Sequence, residues 1–302
     1  MTRLAAPTTP QSTPQSTLRG AILLVGAALA FTLEIVLVRL TSPAVSQIDV
    51  VVFRAGAQLL FATTWLLATR GPAGFRTTRP GLHVVRGLLS LFCWALYYAS
   101  FARLEIALAT VLTFTTSIFV VALAGPVMGE TVGRARVAAT LVGFLGVVIA
   151  SGLGTVGFEP AVLLGLAASL GGAGIVLMNR RLSASEPTPT IMAYIGIVTV
   201  AGSLPLAALD WSVPVGRDIL LLVLIGGVGT LGMWLTIEAY RVGEVSALAP
   251  IPYVRLVFAT LAGFLVFGEA PAGVFWIGAG LIVASAFILH ARRPRGKPGS
   301  KP

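Results

Sequence analysis

The chain has 302 residues, 56% of them hydrophobic and 11% charged, with a formal charge of +10. Soluble domains carry about 25% charged residues, so a chain this apolar needs lipid as its solvent. Once spans of about 20 residues each are set aside, no length remains for a soluble catalytic or nucleotide-binding domain. The positive charge does not signal nucleic acid, because Lys and Arg are dealt out singly between apolar runs and form no stripe.

Residues Met1–Thr17 are rich in Thr, Pro, Ser and Gln, and residues 1–19 read as a disordered tail. A cleaved leader is not expected, since the apolar stretch behind it is too long and many like it follow. The spacing predicts membrane spans at Gly20–Leu40, Asp49–Thr69, Leu82–Phe101, Glu105–Met128, Arg134–Gly152, Glu159–Arg180, Pro189–Leu209, Asp218–Tyr240, Val245–Phe267 and Gly273–His290. Gly and Pro dilute the sixth and seventh. Each run is near 20 residues and continuously apolar, which predicts helices rather than alternating strands. The expected fold is all-α: a polytopic membrane protein of ten helices, ending in a basic tail over residues 291–302. Cys93 is the only cysteine, which excludes an intramolecular disulfide, and His83 and His290 are the only histidines. No metal or cofactor is expected.

Orientation follows from the basic residues. With the N-terminus in the cytoplasm, only Arg39, Arg103 and Arg217 fall outside, Arg54 and Arg255 lie within spans, and every other Lys and Arg is inside. Both termini are therefore expected in the cytoplasm of a bacterial inner-membrane protein, with an even number of spans.

Shifted by 139 residues, the chain matches itself. Gly87 falls on Gly226, Glu105 on Glu244, Phe119 on Phe258, and Gly129-Glu130 on Gly268-Glu269. Two repeats follow, over residues 20–152 and 159–290. Each holds five spans, an odd number, so the second copy enters the membrane inverted. Glu130 is then expected at the cytoplasmic end of the fourth span and Glu269 at the opposite face. Inverted repeats are a recurring basis of alternating access.

The run Ala249-Pro250-Ile251-Pro252-Tyr253-Val254-Arg255-Leu256-Val257-Phe258, continuing to Gly263 and Phe267-Gly268-Glu269, resembles the second EamA domain of the drug/metabolite transporter superfamily. Phe53-Arg54, Arg86-Gly87 and Gly129-Glu130 resemble the first. The likeness covers about residues 20–290. It implies a secondary transporter of a small organic metabolite (an amino acid, nucleoside, cofactor-like or drug-like solute), with a central cavity lined by the first, third, fourth, sixth, eighth and ninth spans. Many members carry a proline in the fourth span where this chain reads Phe114-Thr115-Thr116-Ser117-Ile118, so the implied kink is absent or milder.

Charge inside hydrocarbon is costly, about 2.5–3.5 kcal/mol for Arg or Asp at a span centre, and therefore marks function or a buried partner. Glu34 and Arg54 fall at nearly equal depth and are expected to pair. Glu34 then binds a cationic group or carries a coupling proton, or the two form a static bridge. Arg255 lies mid-span with no acid nearby in sequence, suited to a carboxylate or phosphate of the substrate or to a carbonyl or hydroxyl partner. Trp94, Tyr97, Tyr98, Trp234 and Tyr253 offer rings for a planar substrate or for packing; Trp94, deep and on an expected cavity helix, is the leading candidate. Gly129, Glu130, Gly268 and Glu269 read as helix-end residues, and Glu238 with Arg241, near the cytoplasmic end of the eighth span, as a solvated interfacial pair or a gate.

Two stretches match the dinucleotide pattern G-x-G-x-x-G, at 152–157 and 227–232. That pattern needs a strand before it and a helix after it. One match falls in a predicted loop and the other inside a span, so close helix packing is their expected role. No G-x-x-x-x-G-K-[ST] occurs, and the driving force is expected from a proton, sodium or substrate gradient. An intramembrane enzyme acting on lipid-linked substrates, or a non-transporting subunit, are the competing readings; no nucleophile with an adjacent base is visible to favour the first. Expected partners are membrane lipid and the substrate, with a homodimer left open.

Overall fold

A computed structural model describes residues 14–128, 134–150, 159–182, 185–209, 214, 216–242, 254–271 and 273–291. Among them are ten α-helices and no strand: α1 (Pro14–Arg39), α2 (Gln47–Arg70), α3 (Pro80–Phe101), α4 (Ile106–Met128), α5 (Arg134–Ala150), α6 (Pro160–Leu182), α7 (Thr188–Ala207), α8 (Arg217–Val242), α9 (Val254–Phe267) and α10 (Gly273–Ala291). Six of the ten (α1, α2, α3, α6, α7 and α8) are long and apolar enough to cross a membrane, and the other four contain shorter apolar stretches. The fourth helix runs unbroken through Phe114–Ile118.

Local chemistry sets the helix ends. Ser46 and Asp49 form a reciprocal capping box at the start of α2, 3.1 and 3.0 Å. Gly71 ends that helix with φ 62°, where a side chain would be strained. Prolines open α3 and α6 at positions whose backbone N–H would have no helical partner. Asp218 in the first turn of α8 accepts the Ser42 hydroxyl at 2.6 Å and its amide at 3.1 Å, tying that turn to the end of α1.

Burial is inverted relative to a soluble protein. Leu60, Phe92, Phe264 and Leu265 are among many large apolar side chains on the outside, while Glu34, Arg54 and Arg86 are buried. Outward apolar surface and inward charge suit a chain solvated by hydrocarbon.

Helix pairing follows a pseudo-twofold relation between the repeats. Helix α1 packs on α8 as α3 packs on α6, α2 on α8 as α3 on α7, and α1 on α9 as α4 on α6; α2 meets α7, α4 meets α9 and α5 meets α10. The matched glycines have matched roles. A Cβ on Gly87 of α3 would stand 2.3 Å from Val198 Cβ of α7, and one on Gly226 of α8 would stand 2.7 Å from Ala57 Cβ of α2. At the α5–α10 crossing, a Cβ on Gly278 would stand 2.4 Å from Gly146 O. Small residues let helix backbones meet where lipid supplies no hydrophobic drive for association.

Candidate substrate site

The central polar cluster is assembled from four helices. Helix α1 contributes Phe31 and Glu34, α2 Arg54, α3 Trp94, Tyr97 and Tyr98, and α9 Arg255. Positions 94, 97, 98 and 101 share one face of α3 by helical periodicity. Trp94 lies 5.3 Å from Tyr97 and 5.7 Å from Tyr98, and Tyr97 lies 4.4 Å from Phe101, ring centre to ring centre.

Glu34 and Arg54 meet inside this cluster. Arg54 Nε donates to Glu34 Oε1 at 2.7 Å, and the Tyr98 hydroxyl donates to the same oxygen at 2.5 Å. The guanidinium stacks over Trp94 at 3.5 Å. Glu34 is 1% exposed and Arg54 4%. A charged hydrogen bond, a phenol and a cation–π contact together offset the desolvation of both ions.

The glycine pattern at 227–232 lies within helix α8, with no strand before it, and it packs against this pair. A Cβ on Gly229 would stand 2.5 Å from Glu34 Oε1 and 3.1 Å from Arg54 Nε, and one on Gly232 would stand 2.9 Å from the Phe31 ring. Gly229→Ala is therefore expected to displace the carboxylate and to cost about 1–3 kcal/mol by overpacking. Gly227→Ala, which meets nothing within 4 Å, is the matched control; thermal unfolding of both variants checks this.

Arg255 is held differently. It donates to the Tyr97 hydroxyl, and its guanidinium carbon lies 5.5 Å from the Phe31 ring centre and 5.6 Å from that of Tyr97. Its Nε has no hydrogen-bond partner, and no carboxylate pairs with it, among the described residues. Phe31 and Trp94 stand 6.3 Å apart, so one set of rings separates a neutralised guanidinium from one without a counter-ion.

The other sequence candidates are scattered. Trp234 is half-buried on α8 and joins none of these ring contacts among the described residues. Tyr253, Gly129, Glu130 and the first glycine pattern at 152–157 lie outside the described residues, as does the Arg241 side chain. Glu238 is half-buried.

Glu269 forms a second polar cluster at one end of the bundle. Its Oε1 accepts from Arg39 at the end of α1, and its Oε2 accepts the backbone N–H of Ile106, the first residue of α4, at 2.9 Å. Arg39 also lies 4.5 Å from the Phe267 ring centre. Gly268, with φ 68°, lets the chain fold back, and Gly263 leaves room for the carboxylate, which would stand 2.8 Å from a Cβ there. One side chain thus ties α1, α4 and α9. Glu269→Ala is expected to cost about 1–2 kcal/mol through the lost cap and ion pair. Glu269→Gln, which keeps an acceptor for Ile106, should cost about half as much; equal losses in unfolding measurements would assign the effect to the Arg39 contact alone.

Phe31 and the Tyr98 hydroxyl bond had no sequence signal of their own, while Gly229 was marked only as part of a glycine pattern suited to helix packing. Only the shared face of α3 hinted at Tyr98.

A bundle of apolar helices in two related halves, enclosing buried charges and aromatic rings, defines a multi-pass membrane transporter. The sequence pattern of the EamA-like transporter family matches residues 18–152 and again 159–291, and the chain belongs to that family. It is 36% identical to a riboflavin transporter of Vibrio cholerae, covering 70% of this chain and 72% of that protein. It is 30% identical to an S-adenosylmethionine uptake transporter of Rickettsia felis, covering 74% and 76%. A solved crystal structure 23% identical to it superposes with a TM-score of 0.60, covering 93% of this chain and 98% of that one, which supports the fold. The chain is a secondary transporter of a small organic metabolite.

Proposed function

We propose that the substrate is a planar heterocyclic metabolite bearing an anionic group, a flavin or adenosyl compound in chemistry, carried across a bacterial inner membrane. The reading is carried by Arg255, a central cation satisfied by a phenol rather than a carboxylate, beside Phe31, Tyr97 and Trp94. Rings stack on a flat heterocycle, and the guanidinium supplies the charge complement. The two relatives bear names of flavin and adenosyl substrates, and both molecules contain such a ring system.

Glu34 and Arg54 act in this reading as a scaffold that orients Trp94, since their charges already compensate each other. The rings pack on one another in this conformation, so admission of substrate requires the two repeats to move apart. The inverted halves, with both termini cytoplasmic, supply alternate openings to the two faces.

Purified protein in proteoliposomes should move S-adenosylmethionine or flavin mononucleotide, whose ring systems carry a carboxylate or a phosphate, in preference to neutral riboflavin, with competition only from planar heterocycles. Flux restricted to aliphatic amino acids would reject the substrate class. Recovery of the substrate chemically altered would reject transport in favour of an enzyme.

A further inference from the structure

We propose that an internal cavity between α2, α3 and α7 binds a single chloride-sized anion. The cavity measures about 10 Å³, and its polar lining comes from Arg54 and Gln58 of α2, Ser90 of α3 and Thr199 of α7, with Trp94 as one wall. That volume is roughly the space of one water-sized body, so of the common anions only a monatomic one comes near it in size, with small shifts of the lining side chains.

The charge around it is unbalanced. Arg54 is 4% exposed, and its Nη2 has no hydrogen-bond partner among the described residues. Arg86, fully buried on α3, donates from Nε to Asn179 Oδ1 at 2.7 Å and from Nη1 to Ser90 Oγ, while its Nη2 also lacks a partner. Both Arg86 acceptors are neutral. Two buried guanidinium groups thus share one carboxylate, Glu34, which is engaged on the Nε edge of Arg54.

The lining supplies donors. Ser90 Oγ accepts from Arg86, which frees its hydroxyl proton for the cavity. Gln58 commits one amide hydrogen to Met192 O at 3.2 Å and retains the other. Water could satisfy these hydrogen bonds but would leave the excess positive charge buried without a counter-ion. An anion satisfies both demands. Because Arg54 also stacks on Trp94, the anion would hold the guanidinium that forms the other face of the substrate rings. The proposal stands independently of the substrate's identity.

The test is thermal unfolding of the purified protein in detergent, with chloride titrated against gluconate at constant ionic strength and pH. Gluconate is too large for the cavity. A saturable rise in Tm of about 5 °C at a hundredfold excess over Kd is expected, with bromide equivalent to chloride. Ser90→Ala should raise the half-saturating chloride concentration about tenfold. Crystals grown in bromide should show an anomalous peak between Arg54 and Ser90. Identical Tm values in chloride and gluconate for the unaltered protein, or a cavity holding only water in bromide crystals, would overturn the proposal whatever the variant does.

Discussion

Glu34→Gln is expected to destabilise the protein by about 3–5 kcal/mol and to abolish gradient-driven uptake. The amide still offers Arg54 an acceptor, but the negative charge is gone and the guanidinium remains 4% exposed. Breaking a buried pair by removing one partner costs this much because the other charge is left uncompensated. The paired replacement Glu34→Leu with Arg54→Leu removes both ions, and buried pairs so replaced often return near the original stability. Unfolding measurements on both variants therefore report whether the bridge stabilises or merely balances itself. Uptake then separates its two roles. A stable double variant that still transports leaves the pair a scaffold. Glu34→Gln that loses uptake but keeps substrate exchange, with altered pH dependence, assigns Glu34 the coupling proton instead.

Arg255→Ala should weaken transport of anionic substrates about 10- to 100-fold, the loss of one or two charge-assisted hydrogen bonds. Neutral analogues should change less than about threefold, since the ring contacts survive. Tyr97→Phe, which keeps the ring and removes only the hydroxyl that Arg255 meets, should have a smaller effect on both. Uptake competition with a matched anionic and neutral pair measures this. Equal losses for the two would return Arg255 to a packing role.

Much of the fold was legible because lipid imposes simple rules. Every backbone group in hydrocarbon needs an internal partner, so apolar runs near 20 residues become helices. The duplication was legible for a related reason: Gly87 and Gly226 sit where two helices approach within the reach of a Cβ, so the same residue recurs at the same place. The residues of the central site were less legible as a group. Glu34 and Arg54 could be matched by depth, since rise per residue is constant along a helix. Tyr98 and Gly229 could not, because which face of α3 or α8 turns toward them depends on neighbours distant in the chain. Arg86, counted from sequence among the cytoplasmic-side charges, is fully buried; a charge tally sees position along a span and not the radial direction of the side chain.

The glycine pattern of α8 shows the same division. Its spacing is identical to a phosphate-binding motif, and its place inside a predicted span, with no strand before it, argued against that role. The packed structure shows why glycine is needed: the Glu34 carboxylate occupies the space a Cβ would fill.

What the amino-acid order determined alone was therefore one-dimensional: the number and length of apolar runs, the depth of each charge, and the repeat that relates the halves. These follow from hydrophobic length and helical rise, which act locally. What only the tertiary structure decided was which partners complete each polar group: the Tyr98 hydroxyl on the Glu34–Arg54 pair that depth had already matched, Arg39 and the start of α4 on Glu269, and, among the described residues, the uncharged Tyr97 phenol on Arg255. Pairing falls off over a few ångströms and depends on helix rotation, which is set only when all ten helices pack together.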